Sequence, residues 1–384
     1  MAGPSLAALA AGLLASFVGF ASSFAVVLRG LDAAGATPAQ AASGLMAVSI
    51  AMGVGGIWLS WRTRMPVSVA WSTPGAALLA TTGMPEGGFP AAVGAFMATG
   101  VLIVAAGQIR PLGRAVAAIP APLANAMLAG VLLNLCLAPM RAVAFSPAMG
   151  LAIFGTWAVV ARLNRLLAVP AAVVVTAVLV AATVPLEFGG ATLWPAPVLV
   201  MPELSAGALL GITLPLFLVT MASQNIPGIA VLNANGYHPA PGPLFTRTGL
   251  LTLLAAPLGG HAVNLAAITA AICARPEAEA DPARRWWAAV VAGLGYIAFG
   301  LLAGGATALI GAAPPVLIEA AAGLALLGAF SAAIMAAVAD PVRREAAVVT
   351  FLVSASGLSF GGIGGAFWGL LAGGAMLALG RIGR

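Results

Sequence analysis

The sequence predicts an all-α polytopic membrane protein, and three observations support this fold class. Of its 384 residues, 62% are hydrophobic and only 7% are charged, a composition that no soluble domain of this size presents to water. Apolar stretches follow one another with short polar breaks, and most are about as long as the roughly 20 residues that a membrane helix needs. The basic residues also segregate as cytoplasmic loops require. The chain is therefore expected to lie in lipid.

The first half of the chain predicts seven spans. The first apolar run has no basic segment before it and is too long for the core of a signal peptide, so we expect a retained helix. A Pro-rich stretch at 185–202 follows the seventh run and predicts an external loop. The seven predicted spans are residues 5–28, 39–60, 66–82, 88–107, 120–138, 147–160 and 166–184.

The second half predicts seven more spans, which makes fourteen transmembrane segments in total. A count of twelve, in which the short segments merge, is the alternative. The seven spans of this half are residues 205–226, 248–258, 259–273, 286–310, 315–338, 346–359 and 362–379.

The positions of the basic residues test this count. All sixteen are Arg, and with both termini in the cytoplasm only Arg29 and Arg141 fall outside. A miscounted helix in the middle would scramble the segregation, so orientation explains the net charge of +6 better than nucleic-acid binding does. The Arg residues predicted to be cytoplasmic are Arg62, Arg64, Arg110, Arg114, Arg162, Arg165, Arg247, Arg275, Arg284, Arg285, Arg343, Arg344, Arg381 and Arg384.

The two halves are predicted to be an inverted repeat. Thr73 in the third span and Asn264 in the tenth are 191 residues apart, close to half the chain, and spans four to seven fall near spans eleven to fourteen at that offset. Because seven is odd, the second copy enters the membrane from the opposite side. This 7+7 arrangement is typical of alternating-access transporters.

The third span is predicted to be a broken helix. Residues 67–71 alternate small polar with β-branched or aromatic side chains, as a strand does. Ser72 or Thr73 can then cap a helix, and Pro74 suits its first turn. The helix is therefore expected to begin near the middle of the membrane.

The tenth span repeats this design. Gly259 and Gly260 interrupt the path, residues 261–263 can be extended, and Asn264 can cap a helix from Leu265 onward. Irregular backbone persists in a membrane only where protein or a wet cavity surrounds it. The amide ends of the two short helices carry partial positive charge, so we expect an anionic ligand between them, most naturally a carboxylate. The alternative is a pair of Gly and Pro kinks that serve packing alone.

Five further polar or aromatic side chains are candidates. Gln224 and Asn225 end the eighth span and either bind substrate or tie helices together. Trp71 adjoins the first break and either stacks on an aromatic ring or fills the core. His261 lies within the second break and either takes part in proton coupling or bonds a carbonyl. Glu319, in the twelfth span, either carries a proton or stays ionised in an external vestibule.

Other chemistry is not expected. Cys136 and Cys273 are far apart in apolar runs and are predicted to be packing thiols rather than a disulfide or a metal pair. The Gly-rich stretches lack the Lys and the fold context of a phosphate-binding loop, and small residues let helices approach closely. We therefore expect no enzyme, no cofactor and no metal site, and transport driven by an ion gradient or by none.

Three segments resemble the benzoate:proton symporter family of bacterial inner membranes, known as the BenE type. The resemblance spans nearly the whole chain and covers both breaks. That family is related to the uracil and anion transporters of the seven-plus-seven inverted-repeat fold. The segments read PVSVAWSTPGAALLATTG, SQNIPGIAVLNANGYHPAPG and PLGGHAVNLAAITAAICA.

The resemblance implies uptake of benzoate or a similar aromatic carboxylate together with protons, in a multi-pass protein with both termini cytoplasmic. It implies a core domain from residues 1–108 and 205–310 and a gate domain from residues 119–184 and 314–380, and related folds often form homodimers. The site carried over to this sequence, with Trp71 beside it, consists of Ser72, Thr73, Gln224, Asn225, His261 and Asn264.

One departure from related transporters bears on the substrate. Nucleobase relatives carry carboxylates on spans eight and ten, where this chain has amides and a histidine. Since such carboxylates would repel an anion, their absence favours an acid and leaves the proton carrier unidentified, with His261 the first candidate and Glu319 the second. A nucleobase or inorganic-anion transporter of the same fold is the main alternative, and a passive channel is the next.

Overall fold

The first half of the chain is a series of helices interrupted by one short strand. The structure, a computed structural model, describes residues 3–109, 111, 120–183, 193–360 and 363–382. The elements of the first half are α1 (Leu6–Ala21), α2 (Phe24–Ala33), α3 (Pro38–Thr63), β1 (Val69–Trp71), α4 (Thr73–Thr82), α5 (Gly88–Gln108), α6 (Ala121–Cys136), α7 (Ala138–Phe145), α8 (Pro147–Leu163) and α9 (Ala168–Thr183).

The second half contains a matching strand and ends with a small hairpin before its last helix. Its first helix includes two π-helical stretches, Leu209–Thr213 and Met221–Asn225, and short 3-10 turns occupy Ala256–Leu258 and Pro282–Arg284. Its elements are α10 (Ala206–Ala234), α11 (Pro241–Ala255), β2 (Val263–Leu265), α12 (Ile268–Ala274), α13 (Trp286–Leu301), α14 (Ala303–Ala312), α15 (Pro315–Val338), α16 (Arg344–Ala355), β3 (Ser359–Phe360), β4 (Ile363–Gly364) and α17 (Gly365–Ile382).

The surface of this helical protein is suited to lipid. Large apolar side chains such as Leu13, Val159 and Leu254 are 59%, 63% and 73% exposed. Exposed apolar area on this scale marks contact with a membrane or a partner. Six helical segments among the described residues are long and apolar enough to cross a membrane, and three shorter apolar helices accompany them. A mostly helical membrane protein, as predicted, is what the chain forms.

Two of the predicted spans are interrupted, which the apolar pattern does not show. The run at 5–28 contains a break between α1 and α2, where the hydroxyls of Ser22 and Ser23 both lie within hydrogen-bond distance of the Gly19 carbonyl, at 3.4 and 3.3 Å. Hydroxyls that bond nearby backbone compete with regular helix. The run at 286–310 is broken at Leu302, next to two glycines. Hydropathy alone cannot detect such breaks because the residues remain apolar or small.

The helices pack most closely within two groups. The core group consists of α1–α5 and α10–α14, and the gate group consists of α6–α9 and α15–α17. The closest pairs of the first are α3 with α13 and α5 with α11, and those of the second are α6 with α15 and α16 with α17. Small residues permit this proximity: a Cβ added to Gly53 of α3 would lie 2.5 Å from the Gly293 carbonyl oxygen of α13.

The strands β1 and β2 bring the two predicted breaks into direct contact. They pair antiparallel, with Ala70 opposite Asn264. The pairing extends beyond both ends, since the Ser72 amide donates to the Ala262 carbonyl and the Ala266 amide donates to the Ser68 carbonyl, each at 2.9 Å. Backbone polar groups in a membrane must find partners within the protein. Each irregular segment therefore supplies the hydrogen bonds that the other requires.

Two side chains of neighbouring helices hold β2 in place. The Thr252 hydroxyl of α11 accepts from the Val263 amide at 3.0 Å and lies 3.3 Å from the Val263 carbonyl oxygen. The Asn225 side-chain carbonyl of α10 accepts from the Leu265 amide at 2.9 Å. Both side chains are fully buried. They satisfy the strand edge that β1 does not cover.

The prediction that Asn264 caps a helix beginning at Leu265 is wrong. Asn264 lies in the middle of β2, and α12 begins four residues after it, at Ile268, without a side-chain cap at Ala267. The Asn264 amide nitrogen donates to the Leu265 carbonyl at 2.8 Å instead. Pairing with β1 extends the strand to Leu265. The local sequence around Asn264 does not contain this partner, which lies in the other half of the chain.

Some predictions concern residues outside the described part of the chain. Arg110, Arg114 and Arg384 lie there, as do residues 185–192 of the predicted external loop and the boundary residues 119 and 184 of the first predicted gate segment. The side chain of Arg381 is likewise not described. The predicted segregation of Arg stays a prediction.

Replacing Thr252 with valine tests the support of β2. Thr252→Val preserves shape but leaves the buried Val263 amide without its acceptor, which costs about 1–3 kcal/mol. We expect a lower melting temperature for purified Thr252→Val. Thr246→Val on the same helix is the control, because the Thr246 hydroxyl donates to the Gly242 carbonyl of its own helix. Equal melting temperatures for the two variants would contradict this role.

Candidate functional site

The first break places a capped helix start beside the strand pair. The Ser72 hydroxyl accepts from the Gly75 amide at 3.1 Å, so Ser72 is the N-cap of α4, as one of the two predicted candidates. Thr73 is then the first residue of the helix, followed by Pro74. The Thr220 hydroxyl of α10 donates to the same Ser72 oxygen at 2.9 Å. The start of α4 is thus fixed to both β1 and α10.

His261 joins the two breaks. Its Nε2 lies 3.0 Å from the Ser72 carbonyl oxygen, across 189 residues of sequence. A carbonyl oxygen can only accept, so Nε2 must carry the hydrogen. The Nδ1 atom, like the Oδ1 of Asn264, is buried without a hydrogen-bond partner among the described residues. His261, at the start of the second break, thus contacts Ser72, at the end of the first break. Its side chain is completely buried.

A cavity of about 680 Å³ lies between the core group and the gate group, and both breaks reach it. From the core side it is lined by the ends of the irregular segments, and from the gate side by α8, the α8–α9 turn, α9 and the second half of α15. Three aromatic side chains contribute to its wall. Its principal lining residues are Ser22, Ser23, Met52, Trp71, Thr73, Trp157, Arg165, Gln224, Ala267, Ile268, Thr269, Tyr296, Gly328, Ser331 and Met335.

The structure divides the predicted site residues into two sets. Trp71, Thr73 and Gln224 line the cavity. The other four are completely buried behind it, at 0% exposure, and do not line it. Their hydrogen bonds stabilise the strand pair and the start of α4, and their side chains do not form the cavity wall. These four residues are Ser72, Asn225, His261 and Asn264.

Trp71 is fixed rigidly in the cavity wall. Its indole Nε1 donates to the Ser23 hydroxyl at 2.9 Å, and its ring meets Phe20 edge to face with centroids 5.5 Å apart. It is only 2% exposed. An indole held in this way presents a preformed apolar surface to a ring-shaped ligand.

The sequence interpretation missed several lining residues, above all Arg165. It is the one charged side chain among the described residues that line the cavity, and it is exposed at the turn between α8 and α9. Because it fits the pattern of a cytoplasmic loop, the sequence suggested orientation and not ligand binding. Trp157 and Tyr296 were missed because apolar runs give no indication of which face meets a cavity. The predicted division into a core and a gate domain could have indicated these residues, since a site between two domains must include residues of both.

Glu319 lies away from this cavity. Its carboxylate accepts from Arg29 Nε at 3.0 Å, and Arg29 Nη1 also donates to Asp32 at 3.0 Å. A second cavity of about 260 Å³ adjoins this cluster and shares no lining residue with the first. The predicted alternatives of a proton carrier and an ordinarily ionised side chain in a vestibule both remain consistent with this location.

Comparisons with known sequences identify the family. The profile of BenE, the benzoate membrane transport protein family, matches residues 3–379. The inner membrane protein YdcO of Escherichia coli (strain K12) is 42% identical over 95% of this chain and 94% of its own length. The benzoate membrane transport protein of Acinetobacter baylyi is 32% identical over 96% of this chain and 94% of its own length.

Solved structures with the same fold are much more distant in sequence. The transmembrane domain of the bicarbonate transporter BicA of a cyanobacterium is 14% identical, covers 96% of this chain and 97% of that one, and gives a TM-score of 0.59. The murine anion transporter Slc26a9, in its inward-facing state, is 13% identical, covers all of this chain and 69% of that one, and gives a TM-score of 0.61. At this identity the likeness concerns the fold alone. The family profile and the two sequence relatives show that the chain belongs to the BenE family of benzoate membrane transport proteins and is a multi-pass inner-membrane transporter, not an enzyme.

Proposed function

We propose that this protein imports benzoate or a similar aromatic carboxylate together with protons, by alternating access. The observation that carries the proposal is the cavity of about 680 Å³ between the core group and the gate group. It combines a wall of apolar and aromatic side chains with a few polar groups, which is the usual composition of a small-molecule site. The family and the benzoate transporter of Acinetobacter baylyi support the substrate class.

The charges around the cavity favour an anion. Thr73 at the start of α4 and Ile268 at the start of α12 both line it, so the amide ends of two helices face the same space. Arg165 adds a full positive charge at its edge. Trp71, Trp157 and Tyr296 offer apolar faces to an aromatic ring. An aromatic carboxylate fits both features, whereas an inorganic anion uses only the charges.

The two packing groups support the proposal of alternating access. We infer that the core group, residues 1–108 and 205–310, moves against the gate group, residues 119–184 and 314–380. The closest helix contacts lie within the groups, and the cavity lies between them. The proposal includes fourteen membrane segments in a 7+7 inverted repeat with both termini cytoplasmic. The pairing of β1 with β2 supports it, because inverted repeats place equivalent irregular segments together at the midplane.

His261 and Glu319 are the proposed proton carriers. His261 contacts the Ser72 carbonyl and so responds to the start of α4, although it does not line the cavity. Glu319 pairs with Arg29 between the two groups of helices. Intramembrane ionisable residues are commonly functional.

Ligand binding can be tested on the purified protein by thermal shift. A ligand that binds only the native state stabilises it by about 2.7 kcal/mol at one hundred times its Kd. We expect benzoate to raise the melting temperature, and its uncharged analogue benzamide to raise it far less. Stabilisation by bicarbonate or uracil but not by benzoate would indicate the alternative substrates. Bicarbonate belongs in the panel because the fold is shared with a bicarbonate transporter.

Removing the charge of Arg165 tests how the carboxylate is recognised. Since exposed ion pairs contribute about 0–1 kcal/mol, we expect Arg165→Gln to raise the KM for benzoate uptake by about two- to fivefold, with a smaller difference at high salt. Arg162→Gln is the matched control, because Arg162 lies in the last turn of α8, three residues before Arg165, and is exposed but does not line the cavity. Equal KM values in the two variants would remove Arg165 from the site.

The role of His261 can be separated from its hydrogen bond. In His261→Gln the new amide can still donate to the Ser72 carbonyl but cannot carry a proton near neutral pH. We expect loss of accumulation driven by a proton gradient, with counterflow of labelled benzoate retained. Undiminished gradient-driven accumulation in this variant would leave Glu319 as the proposed carrier.

A further inference from the structure

Arg29 lies between two carboxylates that belong to different parts of the protein. Arg29 and Asp32 both lie on α2, so their pair at 3.0 Å is local to one helix. Glu319 lies near the start of α15, and its carboxylate is 3.0 Å from Arg29 Nε. Only the second pair joins the core group to the gate group.

This ion pair lies at the opposite end of α15 from the large cavity. That cavity is lined by α15 from Leu324 to Met335, and it reaches the surface at Met335 and Arg165, which are both exposed. Met335 is sixteen residues beyond Glu319, or about 24 Å along the helix. The large cavity therefore separates the groups toward the Arg165 end, and the ion pair joins them at the other end.

The second cavity, of about 260 Å³, lies directly beside Arg29. Its three charged lining residues are Arg29, Asp32 and Glu319, and most of the remaining wall is apolar. A guanidinium next to an apolar wall matches an aromatic carboxylate, because Arg binds carboxylates with two parallel hydrogen bonds and the wall can cover the ring. In this structure the Glu319 carboxylate contacts Arg29 through Nε at 3.0 Å. The apolar and hydroxyl-bearing lining residues are Ala25, Leu28, Ala36, Pro38, Ala41, Thr307, Ala313, Pro315 and Ile318.

We propose that Arg29 is a second binding site, which receives the substrate carboxylate when the protein opens at this end, and that Glu319 closes the site by replacing the substrate on Arg29. Separation of the two groups would carry Glu319 away on α15 and leave Arg29 on α2. The identity of the ligand rests on the proposed function, whereas closure by Glu319 does not.

Closure is tested by the accessibility of a cysteine in the second cavity. Thr307→Cys places a thiol in the cavity wall, and the parent chain supplies the background because its two cysteines, Cys136 and Cys273, are buried. The purified full-length protein is labelled with a membrane-impermeant maleimide. We expect Glu319→Gln and Arg29→Gln each to speed labelling about fivefold, because the ion pair no longer holds the groups together.

Two further variants make the labelling result specific. Asp32→Asn removes the partner of Arg29 that lies on the same helix, so we expect labelling within about twofold of the parent rate. The exchanged pair Arg29→Glu with Glu319→Arg restores an ion pair and should restore slow labelling, which also shows that the variants fold. Equal labelling rates in Glu319→Gln and Asp32→Asn would overturn closure by Glu319.

Ligand binding at Arg29 is tested in the same variants with benzoate as the probe. We expect benzoate to slow labelling of Thr307→Cys in the Glu319→Gln background and not in the Arg29→Gln background. In the exchanged pair, labelling should be slow and benzoate should not slow it further, because a carboxylate at position 29 repels an anion. If benzoate stabilises the unmodified protein but gives no protection in Glu319→Gln, the site at Arg29 is overturned. If benzoate also fails to stabilise the unmodified protein, the proposed function is what fails.

Discussion

The backbone pairing of β1 with β2 is the interaction on which the rest of this structure depends. Two segments leave the helical conformation within a membrane protein, where an unpaired amide or carbonyl costs several kcal/mol. Each segment supplies partners to the other, and Thr252 and Asn225 satisfy the remaining edge of β2. Because the two segments come from opposite halves of the chain, this requirement joins the halves at one point. The short helices α4 and α12 can then both begin beside the same cavity.

The buried polar residues and the cavity wall serve different purposes. Ser72 and Asn225 accept hydrogen bonds from backbone amides, and His261 contacts the carbonyl at the end of the first break. Residues that fix backbone in this way belong behind a ligand rather than against it. The cavity wall instead presents Trp71, which is held by Ser23, and Arg165, which is exposed. A rigid apolar wall with one charge at its edge suits a ligand that is itself apolar at one end and charged at the other.

The structure is also asymmetric along the axis of α15. Near Arg165 the core and gate groups are separated by a cavity, and near Arg29 an ion pair joins them. Such an arrangement is what one state of the proposed alternating-access cycle requires. A single, partly exposed ion pair contributes little to stability, so it can separate in the proposed cycle at small cost. The groups themselves are held by close packing at glycines such as Gly53 and Gly293, which is expected to persist as they move.

Composition alone determined that this protein lies in a membrane, because 62% hydrophobic residues leave no other environment. Local sequence also limited the N-cap of α4 to Ser72 or Thr73, since a cap depends only on residues within one turn, and the structure selects Ser72. The strand position of Asn264 and the membership of Arg165 in the cavity were decided by tertiary structure. Each depends on a partner far away in sequence: β1 for Asn264, and the core group facing the α8–α9 turn for Arg165. The pairing of Arg29 with Glu319 spans 290 residues, and no local pattern encodes a contact that only the packing of two groups of helices creates.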